Sequence, residues 1–291
     1  MSTEIYYFTG TGNSLAVARD LAVKLNGTLV PVADVVDREE IRTDAEVIGV
    51  VFPIYDFKPP KIIGQFVRKL EGLGSKYIFA VCTYGIAPGN ALQVFGKDLE
   101  SCGGRLAGGF AVRMPHNGIG AAAFSAGHHE QMYSGWKRQR DAISEYVQAR
   151  KEGTIETKHL SPRFILSGSF LNAIPILLRL GVQVVGKGWD SMALAADEHC
   201  NGCGICEKVC PVDNIAIVDR KPVWSDHCQV CFACLHWCPK EAVQAGPITV
   251  GMTRYHHPRV TLADMTRGGA NISKANSGDY LQEQPAGSAS Q

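Results

Sequence analysis

Eight of the ten cysteines fall into two runs that share one spacing. Cys200, Cys203, Cys206 and Cys210 precede Pro211, and Cys228, Cys231, Cys234 and Cys238 precede Pro239. Each run reads C-x2-C-x2-C-x3-C-P, and a shift of 28 residues superposes all the cysteines, both prolines, and His199 on His227. Ile215 then falls on Val243, so the repeat extends beyond the cysteines. Disulfides need cysteine pairs whose Cα atoms come within roughly 7 Å, and nothing in the chain marks a secreted scaffold. A structural zinc site takes four ligands in two separated pairs, which three cysteines in a row at x2 spacing suit poorly. Two successive x2 gaps instead wrap the backbone around one cubane, so that three thiolates reach three irons. A fourth cysteine close behind cannot easily turn back to the same centre, and the proline after it restricts the backbone where the chain leaves.

The spacing resembles that of the bacterial two-cluster ferredoxins, in which the fourth cysteine of each run ligates the other cluster. The resemblance implies two [4Fe–4S] clusters, one on Cys200, Cys203, Cys206 and Cys238, the other on Cys228, Cys231, Cys234 and Cys210. Between the runs, residues 215–218, 219–221 and 223–224 read as strand, turn and strand. Cys82 and Cys102 lie outside both runs, in a buried strand pattern and at a helix end, and read as packing residues.

The first half alternates strand and helix patterns. Strands are expected at residues 5–9, 28–32, 47–52, 77–82 and 106–112, and helices at 13–25, 61–70 and 90–100. The continuous apolar run at 47–52 suits a central parallel strand. The expected fold class is therefore α/β, a doubly wound, parallel five-stranded sheet. The turn after its first strand and the cysteine runs resemble known families and imply that the sheet is flavodoxin-like and is followed by a small α+β ferredoxin-like unit.

The turn after the first strand reads Thr9, Gly10, Thr11, Gly12, Asn13, Ser14. It resembles the flavodoxin phosphate loop: glycines let the backbone close on a phosphate, and successive N–H groups and the three hydroxyls supply donors at a helix N-terminus. A Walker lysine is missing, and Leu15 takes the place of the third glycine of a dinucleotide fingerprint. A monophosphate, FMN, is read in preference to a merely structural tight turn. Ligands in open α/β sheets sit beyond the carboxyl ends of the strands, so two further loops are expected at the site. Pro53, Ile54 and Tyr55 open the loop at 53–60, with Tyr55 the first candidate to stack on the flavin and Phe57 the second. Thr83, Tyr84 and Gly85 open the loop at 83–90, whose backbone is expected at the ring edge. For both tyrosines the alternative is packing beneath the loop.

Taken together, the cysteine runs, the TGTGNS turn and the FPIYDFKPP loop resemble the EFR-type flavodoxin–ferredoxin fusion proteins over roughly residues 3–262. The resemblance implies FMN, two [4Fe–4S] clusters and electron transfer, without naming a substrate. The expected organisation is an FMN-binding unit at 1–160, a linker at 161–190, the two-cluster unit at 191–250, and an extension at 251–291, disordered from about 268 by its composition. Residues 128–150 read as a helix. Residues 170–180 read as a buried linker helix in preference to a homodimer contact or an interfacial anchor.

A net charge of +1 argues against a nucleic-acid binder. Locally, over residues 197–241, four basic residues face seven acidic ones, a balance of −3 that suits either a basic redox-protein partner or a solvated surface. The most apolar stretch, 170–185, is shorter than the roughly 20 residues of a transmembrane segment and contains Asn172, Arg179 and Gln183. No export signal is read at the start, and with reduced cysteines a cytoplasmic location is expected. Two functions remain open: an electron-transfer mediator, which is favoured, and a flavin-dependent reductase of a small organic substrate.

Overall fold

The structure, a computed structural model, describes residues 2–118, 126–157 and 193–266. The readings made for the linker, the apolar stretch within it and the tail from about 268 lie outside these residues.

Strands β1 (Thr3–Tyr7), β2 (Thr28–Pro31), β3 (Val47–Pro53), β4 (Tyr77–Tyr84), β5 (Leu106–Arg113) and β6 (Thr154–Ile155) form one sheet in the order β2-β1-β3-β4-β5-β6. Every pairing is parallel. The first five strands follow the 2-1-3-4-5 order of the flavodoxin-like doubly wound fold. Burial on both faces explains why β3 is apolar throughout: all seven of its residues are buried. Five strands were expected and six are found; β6 has two residues, too few to carry a hydrophobic period. Helices α1 (Asn13–Leu25), α2 (Lys61–Val67), α3 (Ala91–Ser101) and α4 (Ala126–Gln148) cover the sheet. Leu15, Ala18, Leu21, Ala22 and Leu25 of α1 are buried, as their spacing predicts. Cys82 is buried on β4 and Cys102 caps α3, so both sit where packing residues were expected.

The cysteine-rich part is small. Strand β7 (Ala195–Ala196) pairs antiparallel with β10 (Val243–Gln244), and β8 (Ile215–Val218) pairs with β9 (Lys221–Trp224). Two one-turn helices, α5 (Ile205–Lys208) and α6 (Ala233–His236), start 28 residues apart. The backbone repeats with the same period: left-handed residues recur at Gly202 and Val230, at Gly204 and Phe232, and at Asp213 and Glu241. Each cysteine run therefore folds in the same way.

The two parts share one core. Val209, Cys231, Ala233, Trp237 and Val260 belong to the same buried cluster as the sheet residues. The Gln229 side-chain carbonyl accepts the Ile62 N–H at the start of α2 (2.9 Å), supplying one of the partners that a helix N-terminus lacks. After β10 the chain returns to the α/β part. Arg259 forks onto Asp20 with two 2.8 Å bonds, and helix α7 (Leu262–Met265), capped by Thr261, brings Asp264 to Arg19. Among the described residues no helix is long and apolar enough to cross a membrane.

Candidate functional site

Crossing the two runs is what the fold does with the cysteines. Cys200, Cys203, Cys206 and Cys238 line one cavity of about 330 Å³, together with Ile217, Pro222 and Val243. Cys210, Cys228, Cys231 and Cys234 line a second cavity of about 300 Å³, walled by Ile215, Trp224 and Phe232. Each quartet takes three cysteines from one run and the last cysteine of the other.

The electrostatics repeat this grouping. Burial pushes the Cys206 thiol up to about 11, and Cys203 and Cys238 add to the shift. Burial likewise pushes Cys231 up to about 12, with Cys210 and Cys228 as the contributing thiols. Cys234 is raised well above the usual thiol range by burial, with Cys231, Cys228 and Cys210 adding to it. Four thiolates cannot crowd around one such cavity without a cationic centre among them. Backbone amides also turn toward sulfur: Val230 N–H donates to Cys228 Sγ (3.3 Å) and Asn214 N–H to Cys210 Sγ (3.2 Å). Such donors favour a thiolate over a thiol. Among the described residues no three His, Cys, Asp or Glu side chains converge closely enough to hold a single ion. A cysteine quartet at this spacing fits an iron–sulfur centre.

The loop between β1 and α1 lies at the carboxyl edge of the sheet, as read from sequence. Gly12 caps α1 in a left-handed conformation (φ 94°), which only glycine takes without strain. Thr11 and Ser14 are buried, and no side chain caps the helix. Among the described residues the N–H groups of Thr11, Asn13, Ser14 and Leu15 meet no hydrogen-bond acceptor. Gly12 N–H donates to Thr9 Oγ1 (3.1 Å) and Asn117 Nδ2 donates to Thr11 Oγ1 (2.6 Å). Ser14 Oγ pairs with Thr83 Oγ1 (2.8 Å). The Thr9 and Thr11 hydroxyls each accept a bond from within the chain and keep their own O–H to donate. A buried helix N-terminus with spare N–H and O–H donors suits an anion.

Thr9, Gly10, Thr11, Gly12, Asn13, Ser14, Pro53, Ile54 and Thr83 are brought together: Pro53 pairs with Thr83 in the sheet, and Ile54 N–H donates to the Thr83 carbonyl. Tyr55 points inward. Its hydroxyl is buried with no partner among the described residues, beside Gly10 and under the influence of Cys231 and Cys228. Phe57 is exposed (45%) and its Cβ rests against Gly89 of the other loop. Tyr84 and Gly85 lie farther along, where Gly85 touches His116.

Sequence reasoning missed what Trp237 and His236 contribute to the cover of this loop. Trp237 Nε1–H donates to the Gly10 carbonyl (3.1 Å), while its ring stacks on His256 at 4.4 Å. His236 donates from Nε2 to the Asn117 carbonyl (2.6 Å) and accepts the Tyr255 N–H at Nδ1. Tyr255 O–H donates to Asn13 Oδ1 (2.6 Å), His257 N–H donates to the Thr11 carbonyl (2.8 Å), and Val260 packs on Gly12. These residues carry no motif. The adjacent His256 and His257 point apart: one ring meets Trp237, the other Tyr133.

Residues 197–216 match the 4Fe-4S binding domain family, a span that holds the whole first cysteine run. A search of curated proteins finds no match. Among solved structures, a flavodoxin from the domain Archaea is 18% identical over 51% of this chain and 99% of its own, with a TM-score of 0.35. Flavodoxin from Megasphaera elsdenii is 22% identical over 41% of this chain and 92% of its own, with a TM-score of 0.31. A Streptococcus pneumoniae flavodoxin is 18% identical over 38% of this chain and 83% of its own, also at 0.31. The fold assignment rests on the strand order rather than on these likenesses. A parallel sheet in flavodoxin order is thus joined, in one chain, to a segment that matches a 4Fe-4S binding domain.

Proposed function

We propose that the chain couples two [4Fe–4S] clusters to an FMN held by the loop between β1 and α1, in the manner of the EFR-type flavodoxin–ferredoxin fusions. The observation that carries this reading is the pair of crossed cysteine quartets, each around its own cavity, one of them packed on that loop. When bound, the clusters supply single-electron exchange and the flavin supplies the capacity for an electron pair.

The chain's own residues divide the work. The eight cysteines hold the irons as thiolates, and the Val230 and Asn214 amides stabilise that charge. Apolar side chains at Ile215 and Phe232 wall one cavity, and Ile217 and Pro222 the other. Thr9, Thr11 and Ser14 with the N–H groups at the start of α1 bind the phosphate, and Asn117 orients the Thr11 hydroxyl. Cys231 meets the loop at Gly10, and Cys231 and Cys228 act on Tyr55 beside it. No nicotinamide-binding fingerprint accompanies this set, so an external redox protein is the proposed source or sink of electrons.

The test is Thr11→Asp, which sets a carboxylate against the phosphate. Protein purified without oxygen is expected to lose its flavin and keep its iron and sulfide. Full flavin occupancy in this variant would put the phosphate elsewhere.

A further inference from the structure

We infer that two consecutive residues of the cluster-binding half, His236 and Trp237, position the phosphate loop, so that recognition of the flavin's phosphate depends on the second cysteine run. The inference rests on the FMN reading above and concerns which residues give that loop its shape.

Trp237 acts on one peptide. Its indole N–H donates to the Gly10 carbonyl at 3.1 Å in a buried contact. A trans peptide carries its C=O and N–H on opposite sides, so holding the Gly10 oxygen also fixes the direction of the Thr11 N–H. That N–H meets no acceptor among the described residues and is one of the loop's spare donors. Gly10 is held from a second side by the same run, because a Cβ there would stand 2.4 Å from the Cys231 carbonyl oxygen. No other residue could take this place without parting the two halves.

His236 acts on the neighbouring hydroxyl through one intermediary. It is 2% exposed and donates from Nε2 to the Asn117 backbone carbonyl (2.6 Å). The Asn117 side chain donates to Thr11 Oγ1 (2.6 Å), which commits that oxygen to accepting and leaves its O–H to donate. The Tyr255 N–H occupies His236 Nδ1 (3.1 Å) and so selects the tautomer that donates at Nε2. Direct and relayed contacts thus run from α6 to the backbone and side chain of consecutive loop residues. Simple packing of Trp237 would need the indole's shape, given by its stack on His256, but not its N–H.

The experiment measures dissociation constants for FMN and for riboflavin, which lacks the phosphate, on full-length protein depleted of flavin and retaining its clusters. Trp237→Phe keeps an aromatic ring and removes the donor. It is expected to weaken FMN binding about tenfold while riboflavin binding changes by less than about twofold. Asn117→Leu cuts the relay without touching the cluster run and is expected to show the same selective loss. It stands alone should Trp237→Phe fail to assemble its clusters, as judged by visible absorbance. An equal loss for both ligands, or none for either, would make Trp237 and Asn117 packing residues and overturn the inference. Wild-type protein that binds FMN no more tightly than riboflavin would overturn the FMN reading itself.

Discussion

The quartet Cys200, Cys203, Cys206, Cys238 and the quartet Cys210, Cys228, Cys231, Cys234 come from one repeated motif, yet they stand in different surroundings. In the first, only Cys206 is buried and Cys203 is exposed. In the second, Cys210, Cys231 and Cys234 are all buried, and the run around them packs on Gly10, Tyr55 and Ile62 of the α/β part. Local spacing sets how each run folds around its centre; tertiary packing sets what that centre faces. The outer quartet lies toward solvent, the inner one beside the loop between β1 and α1.

The largest effect should come from breaking the crossing itself. Cys210→Ser is expected to abolish the cluster built on Cys228, Cys231 and Cys234 and to spare the one on Cys200, Cys203 and Cys206; Cys238→Ser should do the reverse. Paramagnetic spectra of the two variants separate these outcomes. Loss of the cluster adjacent in sequence would undo the comparison. Because the inner quartet holds Cys231 against Gly10, Cys210→Ser is also expected to lower flavin content more than Cys238→Ser does.

A second effect belongs to the cover over the inner side. Burial lowers His257 to about 4, with Arg259 and Arg19 adding to the shift and Asp20 opposing it. Unfolded chains take up this proton near pH 6.5, the folded one only near 4, so falling pH in that window favours unfolding. The contribution is fully present above about pH 6.5 and amounts to at most about 3 kcal/mol for this one group. His116 and His236, both lowered to about 4 by burial, act with the same sign. His257→Gln should therefore shrink, without abolishing, the fall in thermal midpoint between pH 7 and pH 5. An unchanged slope would mean that His257 is not held neutral beneath the cover.

The smallest effect tests the repeat. Left-handed positions filled by Gly202 and Gly204 in one half are filled by Val230 and Phe232 in the other. A β-branched residue there is strained by about 1 kcal/mol. Val230→Gly is expected to raise the thermal midpoint by about 2 °C. Phe232→Gly should lower it, because Phe232 is buried in the wall of the inner cavity. A lower midpoint for Val230→Gly would mean that its packing outweighs its strain.

The same contrast explains what was legible in the sequence. Spacing and apolar runs are local, and they pointed to the sheet, α1 and the two folded cysteine runs. Gly10 and Gly12 marked the loop because backbone closure leaves no room for a side chain. Strand β6 is too short to show a period, and left-handed Val230 and Phe232 contradict their own propensities. Trp237, His236 and Asn117 act on a loop more than 100 residues distant in sequence, and no spacing rule reports such contacts. Tyr55 was read either as a ring to stack on the flavin or as packing beneath its loop; spacing could not show that its hydroxyl is buried between Gly10 and the inner cysteines.

The most direct test is to purify the full chain without oxygen and to quantify iron, acid-labile sulfide, zinc and flavin in the same sample. About eight irons, eight sulfides and one FMN per chain are predicted from two four-iron centres and one phosphate loop. Zinc in place of iron, without labile sulfide, would contradict the account.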